Sequence, residues 1–372
     1  MKRNKYEIDM CNGTIMDKLI SFSLPLMLTS ILQLMFNAVD IIVVGRFSGS
    51  DALAAVGSTT ALINIFTNLF IGISLGANVL AARYYAAGRD QEMSESVHTA
   101  IALALVSGVI MAFVGFAMSR FALELMDTPG DVIGQSTTYM RIYFLGMPFF
   151  MLYNYGAAIL RAVGDTKRPL MFLCAAGLAN VALDLLLVIV IPLDVAGVAI
   201  GTVASQMVSC ILVLRCLHRT EGSYQLRFSK LRIRAVYLKR IFQVGIPAGI
   251  QSTVINFSNA MLQSSVNSFG SIAMAGYTAA NNILGFLYVS VNAVTQACMS
   301  FTSQNYSVGK QKRMDRVLTD CMILSAGAAL VLGVGAYVFG SRLLGIYTSD
   351  AEVVQCGLEI LSITTVPYFL CG

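Results

Sequence analysis

From Ile241 to Gly309 the chain reads IFQVGIPAGIQSTVINFSNAMLQSSVNSFGSIAMAGYTAANNILGFLYVSVNAVTQACMSFTSQNYSVG. These 69 residues contain no Asp, Glu, Lys or Arg. A soluble fold could not cover so much uncharged, mostly apolar surface, whereas lipid solvates it. One membrane-spanning helix uses roughly 20 residues, so the run is long enough for two, with a break expected at Asn267-Ser268-Phe269-Gly270.

The same reading extends outward in both directions. Residues 52–82, 96–119, 142–160, 195–214 and 321–341 are also free of charge. Residues 19–44 are interrupted only by Asp40, and residues 169–191 only by Asp184. A further apolar stretch begins near Val353. Ten spans are expected. Across the 372 residues, 56% are hydrophobic and 12% charged, against about 25% charged in soluble domains. A β-barrel would show short alternating strands instead of long apolar runs. The expected class is an all-α polytopic membrane protein.

Basic residues orient the spans. The N-terminus and the loops after spans two, four, six and eight hold 21 of the 25 Lys and Arg. Cytoplasmic loops accumulate positive charge. The N-terminus is therefore expected in the cytoplasm, with the protein multi-pass in the cell membrane. This topology accounts for the net charge of +5 and for the basic loop at 215–240, where sparse aromatic residues argue against nucleic-acid binding. The first 16 residues carry no apolar stretch, so no cleavable signal peptide is expected. The eight cysteines show no paired or metal-binding spacing.

The two halves repeat at an offset of about 220 residues. Ser23-Leu24-Pro25-Leu26 matches Gly245-Ile246-Pro247-Ala248. Tyr84-Tyr85-Ala86-Ala87-Gly88-Arg89, leaving span two, matches Gln304-Asn305-Tyr306-Ser307-Val308-Gly309-Lys310, leaving span eight. Pro148 matches Pro367. Repeated bundles that rock about a site between them are a transporter design. The expected organisation is an N-lobe at 1–217 with spans one to six, a cytoplasmic loop at 218–235, and a C-lobe at 236–372 with spans seven to ten. By the repeat, two more helices would complete a 12-helix protein of two six-helix lobes.

Ionisable groups inside spans are costly and mark ion or substrate paths. At about 1.5 Å rise per residue, Asp40 falls in the outer half of span one, five residues before Gly45. Asp184 lies ten residues before Asp194, with Asn180 one turn deeper on the same face. Thr202 returns to similar depth on span six, and Tyr139 on span four. Two carboxylates, an amide, a hydroxyl and a phenol suit Na⁺ at Asp40, Asn180, Asp184 and Thr202. They suit a proton equally well, and they could also simply hydrogen-bond helices together. Asn64, Asn68, Asn154, Gln251, Asn256 and Asn282 are candidates to line a central cavity, although polar residues also serve ordinary helix packing. Pro25 and Pro247 are expected to kink their spans.

Several of these stretches carry a resemblance. They are Phe36-Asn37-Ala38-Val39-Asp40 with Val44-Gly45-Arg46, the run LRAVGDTKRP at 160–169, Asn180-Val181-Ala182-Leu183-Asp184, and Gly197-Val198-Ala199-Ile200-Gly201-Thr202. Together the chain resembles the multidrug and toxic compound extrusion (MATE) family over nearly its whole length. The resemblance implies a V-shaped pair of six-helix lobes that exports cationic or amphipathic compounds in exchange for Na⁺ or H⁺. It assigns cation coupling to Asp40, Asn180, Asp184, Thr202 and Tyr139. Residues 252–259 lack the span-seven acid of some relatives, so coupling is expected in the first lobe. A lipid-linked saccharide flippase would need a cationic cavity, and within the spans Arg141 is almost the sole candidate. A channel is the other alternative. No nucleophile–base pair or His-rich motif suggests an enzyme. No Gly-rich loop ending in Gly-Lys-Ser/Thr suggests ATP, so no cofactor is expected beyond the coupling ion. The expected partners are drug and lipid, with the protein acting as a monomer.

Overall fold

The computed structural model describes residues 5–126, 128–267, 269–345, 350–365 and 367–371. Among them every regular element is helical. The α-helices are α1 (Met16–Phe47), α2 (Ser50–Ala86), α3 (Asp90–Leu125), α4 (Ile133–Leu145), α5 (Met147–Ala162), α6 (Lys167–Leu185), α7 (Asp194–Arg219), α8 (Ala235–Asn267), α9 (Ser271–Ser307), α10 (Gln311–Val338), α11 (Gly340–Leu344) and α12 (Ala351–Thr365).

Twelve α-helices replace the ten expected for two local reasons. Span four is divided into α4 and α5, which meet at 47°. Pro148 near the start of α5 has no N–H to donate back into α4. At the bend, a Cβ on Gly146 would sit 2.6 Å from Val203 Cγ2 of α7, so the corner needs glycine. The second addition is α11, a five-residue helix after span nine. Eight described helices are long and apolar enough to cross a membrane, or nine with α4 and α5 taken as one broken span. The seventh expected span, α8, lies outside that set. It is 33 residues long but carries Gln251, Ser252, Thr253, Asn256, Ser258 and Asn259. The break between α8 and α9 falls where the sequence puts it, with Ser268 outside the described residues. Pro25 and Pro247 sit inside α1 and α8, which continue through them.

The chain forms two compact units, Met1–Ile8 with Leu32–Thr253, and Asp9–Ile31 with Val254–Gly372. In the first, α3 packs on α4 and α5, and α6 on α7. Its main core includes Met147, Met151, Tyr155, Leu160 and Val213, all fully buried. A second cluster of Val43, Val44, Ala55, Val195, Val198 and Ala199 surrounds the acids described below. The first part of α8 also belongs here, and it approaches α2 backbone to backbone. A Cβ on Gly72 would lie 2.3 Å from Gly249 Cα, and one on Gly76 would lie 2.2 Å from Ile241 O. In lipid such close small-residue crossings replace the hydrophobic effect as the force between helices. In the second unit α9 packs on α10 and α12. Phe22, from the first part of α1, meets the Phe301 ring edge-on at 5.6 Å. Phe113, Leu178, Val331 and Ile363 remain more than two-thirds exposed. Their exposure is what a lipid-facing surface requires.

Candidate functional site

Three helices of the first unit bring the polar residues together. From α1, Asp40 is buried. From α6 come Asn180 and fully buried Asp184, one turn apart, with the Asn180 amide donating to Asp184 Oδ2 at 3.2 Å. Immediately beyond Asp184 the helix widens into a π-helical turn, Leu186–Val190. Such turns frequently occur at functional sites. From α7, the Thr202 hydroxyl lies 3.3 Å from Asp40 Oδ2 and 3.0 Å from Val198 O. It has one hydrogen to give, so it can serve the carboxylate or its own helix. The Asp40 and Asp184 side chains lie close enough to interact electrostatically. The four residues therefore form one cluster.

Tyr139 of α4 is buried within electrostatic reach of both carboxylates. It stacks at 6.2 Å on Tyr143, one turn further along α4. Tyr143 in turn lies beside Gln206, one turn beyond Thr202 on α7, whose buried Oε1 accepts no hydrogen bond from any described donor. Tyr143 and Gln206 extend the cluster and were missed in the sequence. Carrying the four-residue helical spacing one step past Tyr139 and Thr202 would have found them.

Chemically this is a hard-oxygen site. Asp40 Oδ1 and Asp184 Oδ1 are buried and accept no hydrogen bond from any described donor. A buried acceptor left in that state is expensive. Either a cation between the oxygens or a proton shared by the two carboxylates would relieve it. The oxygens of Asn180, Thr202 and Tyr139 can complete a shell for a monovalent cation. No group of three or more His, Cys, Asp or Glu side chains suited to a metal exists among the described residues. Gly201 shapes the site from α7, since a Cβ there would lie 2.1 Å from Asp184 Oδ1.

The other sequence candidates lie on α2, α5, α8 and α9. Asn154 donates at 2.9 Å to Phe150 O of its own helix. Asn64, Gln251 and Asn282 are exposed, while Asn68 and Asn256 are half-buried. Asn78 bonds Ala158 O at 2.9 Å and joins α2 to α5. Arg141 packs its guanidinium 5.0 Å above the Phe116 ring.

Fold and site together define a polytopic helical membrane transporter. The MatE family model matches residues 25–186 and 247–371, two segments that begin at the proline pair aligned by the internal repeat. The chain belongs to this family, the MATE transporters. It is 29% identical over 360 residues to the probable multidrug resistance protein YoeA of Bacillus subtilis (strain 168), covering 94% of this chain and 77% of that one. It is 22% identical over 360 residues to the multidrug export protein MepA of Staphylococcus aureus (strain MSSA476), covering 95% and 78%. A solved outward-facing multidrug resistance MATE family transporter superposes with a TM-score of 0.92 at 20% identity, covering all of this chain and 83% of that one.

Proposed function

We propose that this protein is a cation-coupled antiporter, not an enzyme, that exports cationic or amphipathic drugs in exchange for Na⁺ or H⁺. The cluster of Asp40, Asn180, Asp184, Thr202 and Tyr139 couples the ion, and the unsatisfied Oδ1 pair is the observation that carries this reading. Loading the carboxylates favours one arrangement of the first unit, and drug favours another. Exchange follows because each ligand binds the two arrangements differently. The lobes at 1–217 and 236–372, joined by the loop at 218–235, supply the moving parts. Asn64, Asn68, Asn154, Gln251, Asn256 and Asn282 serve the drug path, and Pro25 and Pro247 let their helices bend. The protein works as a monomer in the cell membrane with its N-terminus in the cytoplasm and no cofactor. Ethidium efflux from everted vesicles under imposed Na⁺ or H⁺ gradients tests this. Gradient-driven efflux that disappears in Asp40→Asn is expected, and the effective gradient identifies the ion. An Asp40→Asn variant that exports like wild type would refute it.

A further inference from the structure

Residues 5–13 precede the first helix, and both ends of this short segment are held by specific contacts. Residues 5–8 belong to the first unit. Glu7 accepts from Tyr85 Oη at 2.7 Å and from Tyr224 Oη at 2.6 Å, so one carboxylate joins the exit of α2 to the loop after α7. The Ile8 N–H donates to Gly164 O at 3.2 Å. Gly164 has φ +96°, and a Cβ there would sit 2.5 Å from Ile8 O, so only glycine accepts the segment this closely. Arg168 lies 5.6 Å above the Tyr6 ring.

The next residues belong to the second unit. Asp9 Oδ1 accepts from the Cys11 and Asn12 N–H groups, which fixes a tight turn. The outward-turned carbonyls are then gathered by α9 and α10. Asn305 Nδ2 donates to Met10 O at 3.1 Å, Lys310 Nζ to Cys11 O at 2.8 Å, and Arg313 to the carbonyls of Met10, Asn12 and Gly13 at 2.8–3.2 Å. Met10 is fully buried and Cys11 nearly so. The Arg89 N–H donates to Tyr84 O and the Lys310 N–H to Asn305 O at matching turns, so Asn305 corresponds to Tyr84, the neighbour of Tyr85. The segment therefore binds the same place, the inner exit of the second helix of each repeat, once in each unit.

Covalent geometry gives these clasps a consequence. Between the Ile8 N–H and the Met10 carbonyl the backbone spans at most about 10 Å. Both clasps hold only while their anchors stay within that reach. The two ends differ in how readily they let go. The first rests on a carboxylate bridged by two phenols, one of them Tyr224, 2% exposed. The second rests largely on Lys310 and Arg313, whose bonds to the Asn12 side chain and to the Asn12 and Gly13 carbonyls are exposed to water. Water can replace such bonds at little net cost.

We propose that residues 5–13 are a cytoplasmic strap that stays anchored at Glu7 and Ile8, and whose Met10–Gly13 end must leave α9 and α10 in each transport cycle. The proposal rests on the transport reading only in requiring the two units to change their relation. The test keeps Cys11 as the sole native cysteine, adds Gln304→Cys, and bridges the two thiols with a short bis-methanethiosulfonate. The Cys11 Sγ lies 3.8 Å from Gln304 Oε1, which makes the bridge feasible. Ethidium efflux should fall roughly tenfold or more on bridging and return with dithiothreitol. Recovery by reductant excludes misfolding. Bridged protein that exports at half the reduced rate or better overturns the strap. If the reduced protein exports nothing under either gradient, the antiporter reading fails instead, and alkylation of Cys11 by N-ethylmaleimide in the single-cysteine protein decides the strap. A several-fold change in alkylation rate between Na⁺-loaded, acid and ion-poor conditions supports it, and a constant rate overturns it.

Discussion

Gly201→Ala probes the proposed cation cluster without replacing any of its proposed ligands. The added Cβ would fall 2.1 Å from Asp184 Oδ1 and 3.2 Å from Asp184 Cγ. Asp184 is fully buried and cannot swing into water to escape. The carboxylate must rotate away from Asp40, or α6 and α7 must separate. Overpacking of this kind costs about 1–3 kcal/mol. Alanine is the better helix former, by roughly 1 kcal/mol, so a loss cannot be blamed on helix propensity. If the cost falls on the ion-loaded geometry, the coupling-ion concentration for half-maximal efflux should rise roughly 5- to 150-fold, at about 1.4 kcal/mol per factor of ten. The maximal rate at saturating ion should survive, because both carboxylates remain. The assay is drug efflux from vesicles across an ion titration, with Gly57→Ala as control, since a Cβ there meets nothing within 4 Å. A Gly201→Ala half-saturation within twofold of wild type would refute the placement of Asp184 Oδ1 in the ion site.

Three further outcomes follow from the same geometry. Thr202→Val removes the hydroxyl facing Asp40 while keeping side-chain volume, and at about 1.5 kcal/mol for a hydrogen bond to a charged group it should weaken ion dependence roughly tenfold in the same titration. Gly72→Ala drives a methyl group into the Gly249 backbone, where no side chain can yield, and should cost about 1–3 kcal/mol, read as a lower thermal midpoint in detergent. Burial, reinforced by the neighbouring Glu7, holds the Tyr224 phenol above its ordinary value. Its folded-state pKa then exceeds the unfolded value of about 10, so its contribution is intact below that pH and is lost as pH climbs beyond it. Thermal midpoints of wild type should fall more steeply above about pH 10 than those of Tyr224→Phe, and parallel curves would contradict the assignment.

The helices were legible because lipid tolerates few charges. The charge-free runs became helical, and Arg83 and Arg161 lie in the last turns of α2 and α5, with Arg215 one turn before the end of α7, close to where those runs stop. Charge says nothing about how a span is divided, so the corner at Gly146 stayed hidden. It depends on Val203 standing opposite, a fact of tertiary packing. The same contrast runs through the site. Asp40 and Asp184 stood out because an acid in a span is costly, and the helical period then gave Asn180. Thr202 and Tyr139 emerged from depth alone. Tyr143 and Gln206 went unnoticed among many uncharged polar residues, and Gly201 has no chemistry of its own to announce it. Asn154 gives one amide hydrogen to its own helix, a bond that depth in the span does not announce.

The sharing of α1 and α8 between units also fixes an order of assembly. Residues 9–31 are synthesised more than 220 residues before residues 254–372, with which they pack. At about 5–20 residues per second, they wait on the order of ten to fifty seconds for Phe301 and Arg313 to emerge. The first unit is likewise unfinished until residues 235–253 deliver Gly245 and Gly249 to α2. Neither unit can mature as an independent piece in the order of its synthesis, and the membrane must hold the first part of α1 without its second-unit partners until α9 and α10 have been made.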